Sequence, residues 1–220
     1  MILSVYYIYL RKHLKNIIEN NMLYRIAHFL RDKMPWLWEL VDILNSILFS
    51  LRFKGNLKAL ESVVHSTYEN ESGMKIVPMA NIPTENLVQF FAKQPKEAYT
   101  FFKPHSFDSK SIKKLQKNKS FLAYIFLDGE TVAAYCFIRS FFHGKGFRGR
   151  MVDIAHRGSG LGTLMNKMMN DIGFGIGLRL FETVSKDNVT SYRSALSASN
   201  VKVVLSLIHI SEPTRLLSIS

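Results

Sequence analysis

Between the apolar stretch Met151–Ala155 and the helix-like stretch Thr163–Ile172 lies the run Arg157-Gly158-Ser159-Gly160-Leu161-Gly162. Three glycines at alternate positions after an arginine let the backbone turn its N–H groups outward, and a helix N-terminus behind them adds partial positive charge. The run therefore reads as an anion cradle at a strand-to-helix corner. A nucleotide-triphosphate loop is excluded, because Thr163 stands five residues after Gly158 where a second glycine followed by lysine is required. The dinucleotide fingerprint fails as well: counting from Gly158 puts Thr163 at its last position, and counting from Gly173 puts Leu178 there.

Composition narrows the partners. An apolar content of 47% supports a buried core, and a net charge of +12 favours anionic partners such as phosphates or an anionic membrane surface. Charge alone also admits nucleic acid, but no zinc-finger spacing or aromatic RNA-binding signature accompanies it, so nucleic acid is not expected. Cys136 is the sole cysteine, which rules out an intramolecular disulfide, and no Cys/His cluster has zinc spacing. Its apolar setting, Val132–Ile138, marks a buried thiol with no chemistry. Met1–Leu10 lacks the leading charge and cleavage site of a signal peptide, and Arg11 interrupts it short of a span, so a cytoplasmic location is expected.

The pattern from Lys12 to about Val64 is helical. Leu14, Ile17, Ile18, Ile26, Phe29 and Leu30 form one apolar stripe; Leu37, Leu40, Val41, Leu44, Ile47, Leu48 and Leu51 form another, with Pro35 suited to a first turn. These helices, residues 1–70, are expected to pack on their own domain or a second subunit, or to lie on a membrane surface. Tyr68–Gly73 reads as a linker, Lys75–Ala80 as a strand, Glu85–Ala92 and Lys110–Lys119 as helices. Phe121–Leu127 and Thr131–Ile138 flank Asp128-Gly129 and predict a hairpin. Ser140–Arg150, rich in Gly, Phe and Arg, reads as an irregular strand entry or a substrate-facing loop. Gly173, Gly175 and Gly177 mark a helix end in close contact with the sheet before the strand Leu178–Val184.

Arg157, Gly160 and Gly162 satisfy Arg-x-x-Gly-x-Gly, and this pattern resembles the coenzyme A pyrophosphate loop of the GNAT acyltransferase superfamily. The hairpin, loop, helix, strand and then Asn188-Val189-Thr190-Ser191 opening a further helix extend the resemblance over residues 74–204. It implies an α+β fold, a mixed and mostly antiparallel sheet flanked by helices, carrying the N-terminal amphipathic helices as an appendage. It also implies acyl transfer, most simply acetyl transfer from acetyl-CoA, to the primary amine of a small-molecule acceptor. The strands before and after the loop, Arg150–Ala155 and Leu178–Val184, should splay to hold the pantetheine arm. Backbone groups of Val152 and Ile154 would face the thioester; Gly158, Ser159, Gly160, Leu161, Gly162 and Thr163 would hold the diphosphate with Arg157; Asn188 would contact the arm. Asp153 and Glu182, on the two bordering strands, are the candidate bases, and each is equally suited to pairing with an arginine such as Arg148 or Arg179. The family's frequent tyrosine, seven residues after the asparagine, is Ala195 here, and Tyr192 lies at a different angle on the helix. The proton donor is thus unassigned, which leaves a second reading open: a catalytically impaired binding module attached to a subunit or membrane surface. His143, Lys145, Arg148 and Arg150 favour an anionic acceptor, such as a nucleotide-linked amino sugar.

The last residues form a separate case. Leu205–Arg215 resembles, residue for residue, one reading frame of a transposase-type sequencing adapter, so 205–220 is expected to be non-native and the acyltransferase domain incomplete. The strand Lys202–Val204 would then lack a partner and leave an apolar edge.

Overall fold

The computed structural model describes residues 35–185, 187–198, 201–208 and 213–219; from residue 198 onward only the backbone is described. The expected stripe at Leu14–Leu30 lies outside these residues. Chain contacts divide the protein into two compact units, 1–44 and 45–220. In the first, the described part is the opening of helix α1 (Pro35–Ser72), which begins at the proline expected in a first turn.

The second unit is a seven-stranded sheet: β1 (Lys75–Pro78), β2 (Phe121–Asp128), β3 (Thr131–Phe141), β4 (Lys145–Val152), β5 (Arg179–Ser185), β6 (Val201–Ile208) and β7 (Pro213–Ile219). Their spatial order is β1-β2-β3-β4-β5-β7-β6, and every pairing is antiparallel except β4 with β5. Helices α2 (Thr84–Lys93) and α3 (Ser109–Lys117) precede the hairpin, α4 (Leu161–Gly175) connects β4 to β5, and α5 (Val189–Ala198) follows β5. The mixed α+β architecture expected from the order of elements is the one observed.

Two apolar layers sandwich the sheet. On one face Phe49, Phe53, Val64 and Tyr68 of α1 join Met165, Met168, Met169 and Ile172 of α4 over Tyr124, Phe126, Cys136, Ile138 and Leu180. On the other, Leu87, Phe90 and Phe91 of α2 and Ile112 of α3 cover Ile125, Tyr135, Phe137 and Met151. Cys136 is fully buried, and burial pushes its thiol well above the usual range. Polar ties sit at the layer edge: the Tyr124 hydroxyl donates to Glu61 Oε1 at 2.6 Å and the Tyr68 hydroxyl to Asp171 Oδ2 at 2.7 Å.

Several expectations change. Tyr68–Ser72 is helix, not linker: Tyr68 is an anchor of α1, and the chain turns only at Gly73, where φ is 68°. Of the Leu37–Leu51 stripe, the residues in the second unit, Ile47, Leu48 and Leu51, are exposed, while Phe49 and Phe53 take the buried face. This stretch of α1 is apolar nearly all round, so periodicity alone could not choose between faces; the larger aromatic area decides. The hairpin turns through Gly129-Glu130, with Asp128 paired to Thr131 and only Gly129 at positive φ. Ser140–Arg150 is regular β3 and β4 joined by a short turn. Lys202–Val204 has a partner, since β6 pairs along β7 and β7 pairs with β5. The alternating Leu and Ile residues of 205–219 have the composition of a strand whatever their origin.

Gly146 lies where β4 and β5 still pair, opposite Leu180. A Cβ at that position would stand 2.8 Å from Ile138 Cγ2 and 3.0 Å from Leu180 Cδ2, both buried side chains. Overpacking of this kind costs about 1–3 kcal/mol. Gly146→Val is therefore expected to lower stability by that order in urea unfolding, whereas the open Gly55 should accept alanine without loss.

Candidate active site

Strands β4 and β5 pair in parallel only at Lys145–Arg179, Gly146–Leu180 and Phe147–Phe181. Beyond Phe147 and Phe181 the ladder stops, although β4 continues to Val152 and β5 to Ser185. On its other side β4 stays paired to β3 up to Val152. One edge of each strand therefore carries unbonded main-chain groups, and the gap widens toward the carboxyl ends, where open sheets bind ligands.

What occupies the fork is charge. Arg148 and Arg150 leave β4 on the same face, two residues apart, and Glu182 leaves β5 between them. Glu182 Oε2 accepts from Arg148 Nε at 3.0 Å and Nη2 at 2.9 Å, and Oε1 accepts from Arg150 Nη1 at 2.5 Å. Arg148 also donates to the Asn170 Oδ1 and the Asn166 carbonyl of α4, at 2.5 and 3.2 Å, and Arg150 donates to the Ser191 carbonyl of α5. All three charged side chains are nearly sealed from solvent. Burial pulls the Arg148 guanidinium below its ordinary range, and the adjacent Glu182 carboxylate opposes that pull.

The fork opens into a cleft of about 490 Å³ lined by Val152, Arg157, Gly158, Gly160, Leu161, Gly162, Thr163, Glu182 and Asn188, nine of the twelve residues anticipated from sequence. Gly158 and Gly160 have φ of 81° and 82°, the left-handed region that favours glycine. Gly160 is the residue before α4, and its carbonyl accepts from Thr163 and Leu164 N–H, so the N–H groups of Leu161 and Gly162 sit in the unpaired first turn of the helix. Exposed Arg157 stands beside them. Asn188 caps α5, its Oδ1 accepting from Ser191 N–H at 3.1 Å.

The three others lie off the cleft wall. Ser159 is exposed, its hydroxyl donating to the His156 carbonyl at 2.8 Å. The expected strand Arg150–Ala155 ends at Val152 because Asp153 caps a 3₁₀ turn, Ile154–His156, leaving Ile154 exposed. Asp153 Oδ1 accepts from Ala155 N–H at 2.9 Å and Oδ2 from Gln94 Nε2 at 2.7 Å. Burial alone would push its carboxyl up, but the Gln94 amide, the Ala155 N–H and His156 hold it below the usual value. Ala195 is fully buried against Val184, with Tyr192 packed beside it.

Sequence reasoning missed one wall. Glu97, Ala98, Phe101 and Phe102, from the segment between α2 and α3, close the side of the cleft away from the glycine loop. Only a doublet of phenylalanines near an acid, in a Pro-bounded segment, signals them. His156 also lines the cleft; its Nε2 lies 3.2 Å from Asp128 Oδ2, linking the loop to the β2–β3 turn. The cationic segment does not act as one surface: His143 and Lys145 are at the β3–β4 turn, at the opposite end of β4 from Val152, and Arg148 and Arg150 are neutralised by Glu182. Among the described residues no group of His, Cys, Asp and Glu is placed to hold a metal, and no helix is long and apolar enough to cross a membrane.

The chain matches no family model and no curated protein sequence. Its fold is similar to that of the GNAT domain of S. lividans PAT, at 13% identity, covering 66% of this chain and 90% of that one with a TM-score of 0.57. It is also similar to AAC(6')-Ib in complex with paromomycin and acetyl-CoA, at 11% identity over 67% and 93% of the two chains, TM-score 0.51. A third likeness is to a spermidine N-acetyltransferase SpeG chimera from Vibrio cholerae and hSSAT, at 15% identity over 67% and 95%, TM-score 0.51. The fold is that of the GNAT acetyltransferases.

Removing the Glu182 charge leaves two buried guanidiniums without their counter-ion. Glu182→Ala is expected to cost about 3–5 kcal/mol in urea unfolding, with Glu182→Gln intermediate. Asp153, held below its ordinary pKa, adds stability that is fully present above about pH 3.9 and is lost as pH falls through the lower folded value. Asp153→Asn should lower stability at neutral pH and flatten the stability curve below about pH 4, measured by thermal unfolding across pH.

Proposed function

We propose that the protein transfers an acetyl group from acetyl-CoA to a primary amine. The observation that carries this reading is the fork: two strands unpaired beyond Phe147 and Phe181, opening on a helix N-terminus with Gly158 and Gly160 at positive φ. The free β-edge groups suit the amides of a pantetheine arm added like a strand, and the first-turn N–H groups with Arg157 suit its diphosphate.

A thioester laid along β4 would bring its carbonyl toward main-chain N–H near Val152, which would stabilise the developing oxyanion without a side chain. Glu182 acts in this reading through position: both of its oxygens are engaged by guanidiniums, so it sets the spread of the fork and does not accept the amine proton. Asp153 likewise shapes the turn that ends β4. The acceptor amine then loses its proton to water or to the remaining carboxylate on the cleft wall, Glu97. The absent tyrosine is tolerable, since a thiol with a pKa near 8.5 leaves as thiolate with little assistance at neutral pH.

Acetyl-CoA at a hundred times its dissociation constant should stabilise the fold by about 2.7 kcal/mol, read as a rise in Tm. Gly160→Asp puts a carboxylate beside the diphosphate and should abolish that rise, while Gly160→Asn, with a similar backbone cost and no charge, should retain part of it. Release of free thiol in the presence of an amine checks turnover; stabilisation without turnover against any amine would instead mark a binding module.

A further inference from the structure

Resting on that reading of the cleft as an acetyl transfer site, we infer that the acceptor is a cation carrying a second positive charge besides the reacting amine, bound by Glu97 and the faces of Phe101 and Phe102. The charges lining the cleft decide this. Arg148, Arg150 and Glu182 neutralise one another in the fork. His156 faces Asp128 and Asp153. Two charged residues then remain on the wall with no ion pair among the described residues: Arg157 at the glycine loop and Glu97 on the opposite wall. The cleft is polarised along its length, positive where a diphosphate would sit and negative where an acceptor would enter.

The negative end is built to keep a cation. Glu97 is exposed on the 3₁₀ turn Lys96–Tyr99, and Phe101 is 45% exposed. Phe102 is half-buried, stacked parallel to Phe107 with ring centroids 6.3 Å apart. It also sits tightly on β4, because a Cβ on Gly149 would come within 3.3 Å of Phe102 Cε2 and 2.7 Å of Phe137. Gly149 thus lets the aromatic wall approach the strand that would carry the thioester. A carboxylate beside aromatic faces attracts an ammonium by charge and by cation–π contact, and repels a carboxylate or phosphate. An anionic, nucleotide-linked acceptor does not suit this wall.

Three amines of equal chain length test the inference: 1,4-diaminobutane, butylamine and 4-aminobutanoate, with acetyl-CoA and the full chain. The diamine should exceed butylamine in kcat/KM by about tenfold, the size expected of one surface charge contact with a cation–π face, and 4-aminobutanoate should be poorest. Glu97→Gln should raise KM for the diamine about tenfold, leave its kcat, and erase the advantage over butylamine; Phe101→Leu should raise the same KM. Equal use of the three amines, preference for 4-aminobutanoate, or an equal fall in kcat for all three in Glu97→Gln would overturn the inference, the last because Glu97 would then act on the reacting amine. If acetyl-CoA raises Tm and no amine is acetylated, calorimetric binding of the diamine to the coenzyme A complex replaces kinetics. Glu97-dependent binding supports the inference and its absence overturns it. Failure of acetyl-CoA to raise Tm instead removes the underlying transfer reading.

Discussion

The buried triad of Arg148, Glu182 and Arg150 is the constraint on which the site depends. Where the β4–β5 ladder ends, main-chain hydrogen bonds no longer fix the distance between the strands, and a side-chain carboxylate from one strand takes over by gripping two guanidiniums from the other. Each arginine also reaches a helix, Arg148 to α4 and Arg150 to α5, so the same charges set the fork and hold in place the helix whose N-terminus faces the cleft. Such a network is costly to assemble away from water and costlier to leave incomplete. Its placement at the opening of the sheet fits positioning better than it fits proton transfer.

Around that fastener the rest of the second unit is conventional packing. The α4 helix can lie close to the sheet because Gly173 leaves no side chain against Leu180, and α1 crosses near Gly175 for the same reason, a Cβ there falling 2.4 Å from Leu60 Cδ2. The α1 helix contributes Phe49, Phe53, Val64 and Tyr68 to the layer that α4 completes. The backbone at Gly158 and Gly160 is then free to present N–H groups outward, since the helix behind is already fixed through its buried face.

Much of this was legible in the residues because local chemistry and tertiary role agree. The alternating glycines, the Asp128-Gly129 turn and the β-branched and aromatic runs at 121–138 each admit one local conformation, and the structure uses it. Three features were not legible, each for a physical reason. The buried face of α1 could not be chosen because this part of the helix is apolar around its circumference. The stretch Ser140–Arg150 looks irregular because arginine and glycine are poor strand formers, yet Arg148 and Arg150 are compensated by Glu182, more than thirty residues away, and Gly146 and Gly149 sit under large neighbours. The wall of Glu97, Phe101 and Phe102 has no motif at all; it exists only because the segment between α2 and α3 folds over the carboxyl end of β4. Interactions between residues distant in sequence decided all three.

The central claim is that the unpaired edges of the fork and the first turn of α4 are the surfaces that take acetyl-CoA. Amide hydrogen exchange, read by mass spectrometry on peptides spanning 148–165 and 179–186 with and without saturating acetyl-CoA, tests it most directly. The account predicts slowed exchange in both peptides, largest at Arg150–Val152, Leu161–Thr163 and Thr183–Val184, with the β2–β3 hairpin unchanged. Unchanged exchange in these peptides, or protection confined to another surface, would contradict it.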